Sequence, residues 1–299
     1  MRTGWSVITE LDFGVLRARG SDAIAFLQGQ LSNDATRLQA DQWQLSGYHT
    51  PQGRAIALLR LTLLAPDDVL AVLPRELIPL VLTRLKRFVL RARVQITDDS
   101  EQWRILGFAG PAPELPVGSV CAPYGRSRYL ALVPAALQIE AEAPFGTRSD
   151  WVAGDIEEGL PQVYLATSEA FIAQMLNLDV TGGIALDKGC YTGQEIIARA
   201  HYRGQVKRRM QRFGSATPCT LMPGQTGTLG DGRGFKVVAA VALADGRSEF
   251  LAVATLPAGA QVAAEDQADD SAAPAEAQTQ VIVAVRPLNL PYELPAGRA

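Results

Sequence analysis

Between Lys188 and Glu195 the chain reads Lys-Gly-Cys-Tyr-Thr-Gly-Gln-Glu. A lysine, a thiol, a phenol and a carboxylate around two glycines suit neither a core strand nor a core helix, because buried elements exclude unpaired charge and are weakened by glycine. Gly189 and Gly193 predict sharp bends or close approach to a ligand, since a residue without Cβ tolerates positive φ. The four reactive side chains are then expected to converge on one spot. Glu195 opens the helix-compatible run Glu-Ile-Ile-Ala-Arg-Ala, which places its carboxylate in a first helical turn, where the helix dipole favours negative charge. The function is expected to lie here.

At 299 residues and 47% hydrophobic, the chain can bury a large core and is expected to form two or three domains. Its N-terminus, Met-Arg-Thr-Gly-Trp, reaches Glu10 and Asp12 without a long apolar region, which argues against a secretory signal. The longest apolar stretch, Ala55 to Ala65, is broken by Arg60 and is too short to span a bilayer. These features predict a cytoplasmic protein without a membrane partner. Cys121, Cys190 and Cys219 are odd in number and include no Cys-x-x-Cys pair, so reduced thiols are expected rather than a disulfide framework. With only His49 and His201 as imidazoles, no metal site is expected, because tetrahedral zinc or an iron–sulfur cluster needs about four soft or imidazole ligands. If Cys190 touches iron, a partner supplies the other ligands.

The formal net charge is −3, yet two basic clusters stand out. Arg84, Lys86, Arg87, Arg91 and Arg93 follow an apolar helical pattern. Arg199, His201, Arg203, Lys207, Arg208, Arg209 and Arg212 follow the octapeptide. The second suits phosphates, the carboxylates of an acidic ligand tail or RNA backbone, and the ordinary alternative for both is a solvated face.

Trp5 to Glu10 and Val15 to Arg19 predict an early strand pair, with Ser21-Asp22 capping a helix that ends near Gly29. A turn at Thr50-Pro-Gln-Gly53, strands at Ala55–Leu64 and Val69–Leu73, and a helix from Glu76 to Val89 follow. Strands are also expected at Arg91–Ile96, Trp103–Phe108 and Arg128–Leu132, in the order of an inserted α+β domain. Ser149-Asp150 predicts a helix through Glu158, and Ser168 to Leu176 a helix or loop. Past Phe213 short Val-rich runs suggest a small barrel or sandwich, and Pro257 to Gln280, rich in Ala, Gln and acids, a mobile loop between its strands. Gly230-Asp-Gly-Arg-Gly234 precedes a strand and reads as a hairpin turn, not a phosphate loop.

Several runs carry a family likeness. Asn177-Leu-Asp-Val-Thr-Gly-Gly-Ile184, Lys188 to Arg199 and Tyr202-Arg-Gly204 resemble the signature of the folate-binding YgfZ family. Gly20-Ser-Asp-Ala, Phe26-Leu-Gln-Gly-Gln-Leu-Ser-Asn-Asp34, Trp151 and Ile156-Glu-Glu-Gly-Leu-Pro161 extend the likeness. Members are relatives of the glycine cleavage T-protein, an aminomethyltransferase, and are implicated in tRNA modification and iron–sulfur enzyme maintenance. The resemblance implies an α+β fold of three domains in a ring: a discontinuous ferredoxin-like folate-binding domain (1–47 and 146–212), a second ferredoxin-like domain (48–145) and a C-terminal β-barrel (213–299).

The resemblance further implies tetrahydrofolate or a related folate in the central funnel. Glu195 is the expected clamp, because a carboxylate accepts the adjacent N–H and NH₂ of a pterin as paired charge-assisted hydrogen bonds. Trp151 is expected to stack on or wall the ring, or else to anchor its helix. Phe13 aligns with a family contact, and Tyr191 and Asn177 belong to the cofactor-binding set. Tyr191 packs against the folate or hydrogen-bonds near Glu195; Lys188 meets the ligand's carboxylate tail or pairs with Asp187. Cys190, with Lys188, is the candidate for chemistry as nucleophile, redox group or transient metal ligand, or is a small buried thiol.

One departure from the T-protein matters. Where that enzyme carries an Asp pair for one-carbon transfer, the matching Gln52-Gly-Arg-Ala-Ile-Ala-Leu58 places Ala57 and Leu58, which can neither take nor give a proton. The expected function is therefore a tetrahydrofolate-binding accessory protein that supports iron–sulfur cluster assembly or repair and thereby tRNA modification, with iron–sulfur proteins or their assembly factors, and tRNA through Arg199 to Arg212, as partners. The alternative is a folate-dependent one-carbon transferase or demethylase.

Overall fold

A computed structural model describes residues 7–137, 146–202, 206–215, 218–257, 281–282 and 285–295. In chain order the elements are β1 (Val7–Glu10), β2 (Phe13–Arg19), α1 (Ala23–Gln30), β3 (Gln44–His49), β4 (Ala55–Ala65), β5 (Asp68–Pro74), α2 (Ile78–Lys86), β6 (Gln95–Asp98), β7 (Trp103–Ala109), β8 (Val120–Tyr124) and β9 (Arg128–Pro134). Then follow α3 (Arg148–Glu158), α4 (Gln194–Tyr202), β10 (Arg208–Ser215), β11 (Thr226–Thr228), β12 (Gly234–Ala242), β13 (Ser248–Thr255), β14 (Val281–Ile282) and β15 (Val285–Leu288). The chain is a mixed α/β protein of three sheets and few helices.

The five-stranded sheet has the order β3-β4-β5-β2-β6 and the four-stranded sheet β1-β7-β9-β8, both antiparallel. The third, six-stranded, runs β14-β11-β12-β13-β10-β15, with the β11–β14 pair parallel. The expected N-terminal strand pair is not formed: β1 joins β7 and β2 joins β5 and β6. The intervening Leu11 and Asp12 have neither the glycine nor the positive φ that a two-residue hairpin turn requires. Instead Leu11 N–H donates to Ile105 O, and Asp12 O accepts from Arg75 N–H. Strands on both sides of residues 47 and 48 therefore share sheets, and β3 pairs with β4 across that point.

Local signals account for most elements. The N-cap of α3 is Thr147, not Ser149, in a reciprocal capping box with Asp150, and Gly159 closes the helix at φ 65°. Asp22 precedes α1 without a side-chain cap bond, its carboxylate accepting Arg93 N–H at 2.7 Å instead. The strand expected at Arg91 begins at Gln95, and Ser168–Leu176 contains a short 3₁₀ turn, Ala173–Leu176. The hairpin at Gly230–Gly234 joins β11 to β12, with Gly232 at φ 84°. The stretch expected to be a mobile loop lies outside the described residues from 258 on.

Alternation in β2 divides the core. Phe13 and Val15 enter a cluster with Leu70, Val72, Tyr124 and Trp151, whereas Leu16 and Ala18 enter one with Tyr48, Tyr191 and Ile197. The helix α3 bridges two sheets: Trp151 lies against Gly107 of β7, where a Cβ would come within 2.3 Å of the indole, and the helix packs on β12 and β13.

Candidate functional site

The octapeptide is a loop that ends where α4 begins, and half of it is anchored from below. Lys188 is buried, and its ammonium donates to three carbonyls, Gln28 at 2.7 Å, Leu31 at 2.6 Å and Asn33 at 2.8 Å. These lie at and just past the end of α1, whose last carbonyls lack helical partners. A cation there also meets the negative end of the helix dipole. Burial pulls the Lys188 pKa down to about 8. The ammonium lies 4.9 Å from the centroid of the Tyr191 ring. With three donors and three carbonyls, Lys188 has nothing left for a ligand tail, and Asp187 pairs with Arg37 at 2.7 Å rather than with Lys188.

Tyr191 is likewise interior. Its phenol is buried without a hydrogen-bond partner, and burial pushes its pKa up to about 12. Gly193 is required twice over: its φ is 84°, and a Cβ would lie 2.5 Å from Thr50 O and 3.1 Å from Gly53 Cα. Gly189 differs, since its φ is not positive and a Cβ added there would meet no atom within 4 Å. The turn Thr50–Gly53 is thus the bed of the loop, and Ile196 of α4 rests on Gly53. Beside this bed, His49 is fully buried against the backbone of Gly47, and burial lowers its pKa to about 4.

The other half of the octapeptide faces out. Cys190 is an exposed free thiol. Glu195 is exposed in the first turn of α4, its carboxylate without a partner among the described residues. A carboxylate without a protein partner in a first helical turn is an acceptor open to a ligand. Ala57 and Leu58 lie fully buried in β4.

The remaining sequence candidates are placed elsewhere. Asn177 adopts a left-handed conformation, φ 57°, and its amide donates to Met210 O at 2.9 Å and Tyr292 Oη at 3.3 Å while accepting from Arg209. Both of its N–H groups are taken by protein. Trp151 is 5% exposed, its ring held by Gly107, by Tyr124 at 4.8 Å and by the Arg128 guanidinium at 4.5 Å. It anchors α3 and has no open face for stacking. Phe13, 8% exposed, shares this cluster, so the two aromatics stand together and apart from the cluster that holds Tyr191. Cys121 lies in β8, and burial pushes its thiol up to about 11.

Folding pairs two members of the basic cluster after the octapeptide and leaves Arg199 and Lys207 exposed. Arg209 forms a buried two-bond pair with Asp179, at 2.9 and 2.8 Å, and Arg212 pairs with Glu249 at 2.6 Å. Arg203 lies outside the described residues. In the first cluster Arg84 pairs with Glu169 and Arg93 with Asp22, leaving Lys86, Arg87 and Arg91 exposed. Sequence spacing offered no sign of the Asp179–Arg209 pair, which joins residues far apart in the chain.

Runs that are distant in sequence lock onto one another. Ser32 Oγ donates to Gly183 O at 2.6 Å, Asn33 Nδ2 to Gly182 O at 2.8 Å, and Ala185 N–H to Ser32 O at 3.0 Å. Together with the three bonds from Lys188, these make Gln28–Asn33 the receptor for the Gly182–Lys188 segment.

The tRNA-modifying protein YgfZ of Shigella sonnei is 30% identical over 273 residues, covering 81% of this chain and 83% of its own. That of Edwardsiella ictaluri is 34% identical over 226 residues, covering 67% and 68%. The chain belongs to the YgfZ family. No family model matches the chain. The YgfZ-family fold seen here is similar to the glycine cleavage system aminomethyltransferase T of Bartonella henselae, with a TM-score of 0.66 at 15% identity over 84% of this chain and 79% of that one. Among the described residues no group of three or more His, Cys, Asp or Glu could hold a metal ion, and no helix is long and apolar enough to cross a membrane.

Proposed function

We propose that this YgfZ-family chain is a tetrahydrofolate-binding accessory protein that serves tRNA modification by maintaining iron–sulfur enzymes, and that it does not transfer aminomethyl groups. The observation that carries the reading is the division of the octapeptide. Lys188, Tyr191 and Gly193 fasten the loop, and Glu195 and Cys190 are left bare at the start of α4. Glu195 fits the pterin edge by its chemistry, an unpartnered anion opposite two adjacent donors. Folate, when bound, supplies a carrier of one-carbon units. Residues of this chain supply no acid or base where the T-protein has its Asp pair, because Ala57 and Leu58 are buried hydrocarbon.

The finer arrangement belongs to the same proposal: three bodies enclosing a funnel, the last of them a barrel from residue 213 on. Cys190 is the group presented to iron–sulfur partners, as a thiol ligand or redox group whose remaining ligands come from the partner. The test is a calorimetric titration of wild type, Glu195→Ala and Cys190→Ala with tetrahydrofolate. Affinity is expected to fall at least about tenfold for Glu195→Ala, the loss of a charge-assisted pair, and to be kept by Cys190→Ala, which fails instead to restore thiolated tRNA in cells lacking the protein. Equal folate affinity for wild type and Glu195→Ala sinks the clamp.

A further inference from the structure

The basic run at the end of α2 keeps most of its charges free, and apolar side chains stand exposed among them. From Lys86 it reads Lys-Arg-Phe-Val-Leu-Arg-Ala-Arg93. The chain leaves the helix through tight turns: Phe88 N–H donates to Leu85 O at 3.0 Å, Val89 N–H to Lys86 O at 3.2 Å and Leu90 N–H to Phe88 O at 3.0 Å. Leu85 and Val94 are buried in the core, and Val89 and Ala92 pack against it. These four fix the inward side, and the residues between them are turned out. Phe88 is 51% and Leu90 86% exposed. Lys86, Arg87 and Arg91 are exposed and have no carboxylate partner among the described residues, while Arg84 is tied to Glu169. Arg93 comes no closer than 3.4 Å to Asp22, with its side chain 80% exposed. Arg19, also exposed, lies on β2 opposite Gln95 of β6, two residues past Arg93.

A run of charges is usually no more than a solvated face, but solvation gives no reason for a half-exposed phenylalanine in its midst. We infer that the turn Lys86–Arg93 docks an unpaired stretch of RNA, its cations on the phosphates and the Phe88 ring on a base. Guanidinium groups meet phosphate oxygens through paired N–H bonds, and an aromatic ring stacks on any base. The net charge of −3 makes the attraction local to this turn, since exposed charges more than about 10 Å apart are screened at 0.1 M salt. An anionic membrane fits less well. It is gripped by the continuous apolar face of an amphipathic helix, whereas here Val89 turns inward between Phe88 and Leu90, and cations flank them on both sides. The choice of RNA over DNA rests on the reading above that the chain serves tRNA modification.

The test compares wild type, the triple variant Lys86→Ala/Arg87→Ala/Arg91→Ala, Phe88→Leu and Phe88→Trp. Each is titrated across a salt series with labelled oligouridine of about 12 nucleotides, within the span such sites cover, with polyglutamate of the same length and with phosphatidylserine vesicles. For wild type the logarithm of RNA affinity is expected to fall with the logarithm of salt with a slope of about −2 to −3, and the triple variant to flatten that slope by about 2. Phe88→Leu keeps an apolar side chain but loses the ring, and is expected to weaken RNA binding about fivefold or more at every salt concentration with the slope unchanged. Phe88→Trp is expected to keep the affinity, and all the variants to bind tetrahydrofolate as wild type does. No RNA binding by wild type, equal binding by all four proteins, or polyglutamate bound as tightly as RNA overturns the site. Full affinity in Phe88→Leu, or vesicle binding without RNA binding, overturns it too, the latter in favour of a lipid surface. Failure of the tRNA reading looks different: the oligouridine is still bound and lost in the variants, while cells carrying the triple variant keep their thiolated tRNA.

Discussion

The segments Asn177–Gly183 and Lys188–Glu195 are close in sequence and both dense in polar residues and glycine, yet the fold treats them oppositely. In the first, the polar side chains are turned inward: Asn177 holds Met210, Tyr292 and Arg209, Asp179 holds Arg209, and Thr181 Oγ donates to Asn177 O at 3.0 Å. That segment is fastened to β10 and to Tyr292, whose Oη donates to Gly159 O at the end of α3. In the second, the inward residues Lys188 and Tyr191 alternate with the exposed Cys190 and Glu195. A motif rich in polar residues thus marks a site only where some of them remain without protein partners.

The sharpest way to break this comparison is to damage the junction. Arg209→Met leaves the Asp179 carboxylate buried and alone, and is expected to lower unfolding free energy by about 3–5 kcal/mol in urea titrations; a loss below about 1 kcal/mol would show that the junction is not what holds β10. Next in size is the acid sensitivity of the bed beneath the octapeptide. His49 titrates near 4 when folded and near about 6.5 when unfolded. Between those values the unfolded chain binds the extra proton, so this contribution is whole above about pH 6.5 and is lost as pH falls toward 4, about 3 kcal/mol in all. His49→Asn is expected to flatten the difference between urea midpoints at pH 7 and pH 4.5, and an unchanged difference would assign the acid sensitivity to other groups.

Smaller again, Gly193→Ala is expected to cost about 1–3 kcal/mol through its left-handed φ and the contact with Thr50 O, and to weaken tetrahydrofolate binding by tilting the loop; Gly189→Ala, with open space around it, serves as the control and is expected to keep both properties. The smallest effects belong to the bare pair. Cys190→Ser and Glu195→Ala are expected to shift stability by less than about 0.5 kcal/mol. Thermal unfolding checks this, and a larger loss in either would mean that the octapeptide, like Asn177–Gly183, is wholly structural.

Much of the local structure was legible. The apolar run of β4, the start of α4 at the end of the octapeptide and the hairpin before β12 follow from pattern and turn chemistry, which act within a few residues. Sheet membership was not. β1 and β2 read as a pair, but nothing in either strand says which partner it meets, and the partners β7 and β5 lie far along the chain. The same holds at the site. Lys188 read as a reactive group until α1 placed three carbonyls around it, and the run Arg199 to Arg212 read as one patch until Asp179 and Glu249 neutralised two of its members. Trp151 read either as a ring wall or as the anchor of its helix, and the fold sets Gly107 and Arg128 against its ring.

By itself the sequence determined the inventory and the local bends. It supplied a helix opening on Glu195, a glycine at position 193 where the chain must turn, and hydrocarbon at Ala57 and Leu58 in β4. Only the tertiary structure decided which charges are free. Burial and pairing depend on groups brought together from distant parts of the chain, so Lys188, Arg209 and Asn177 were absorbed into the framework, and Glu195 and Cys190 were left facing solvent.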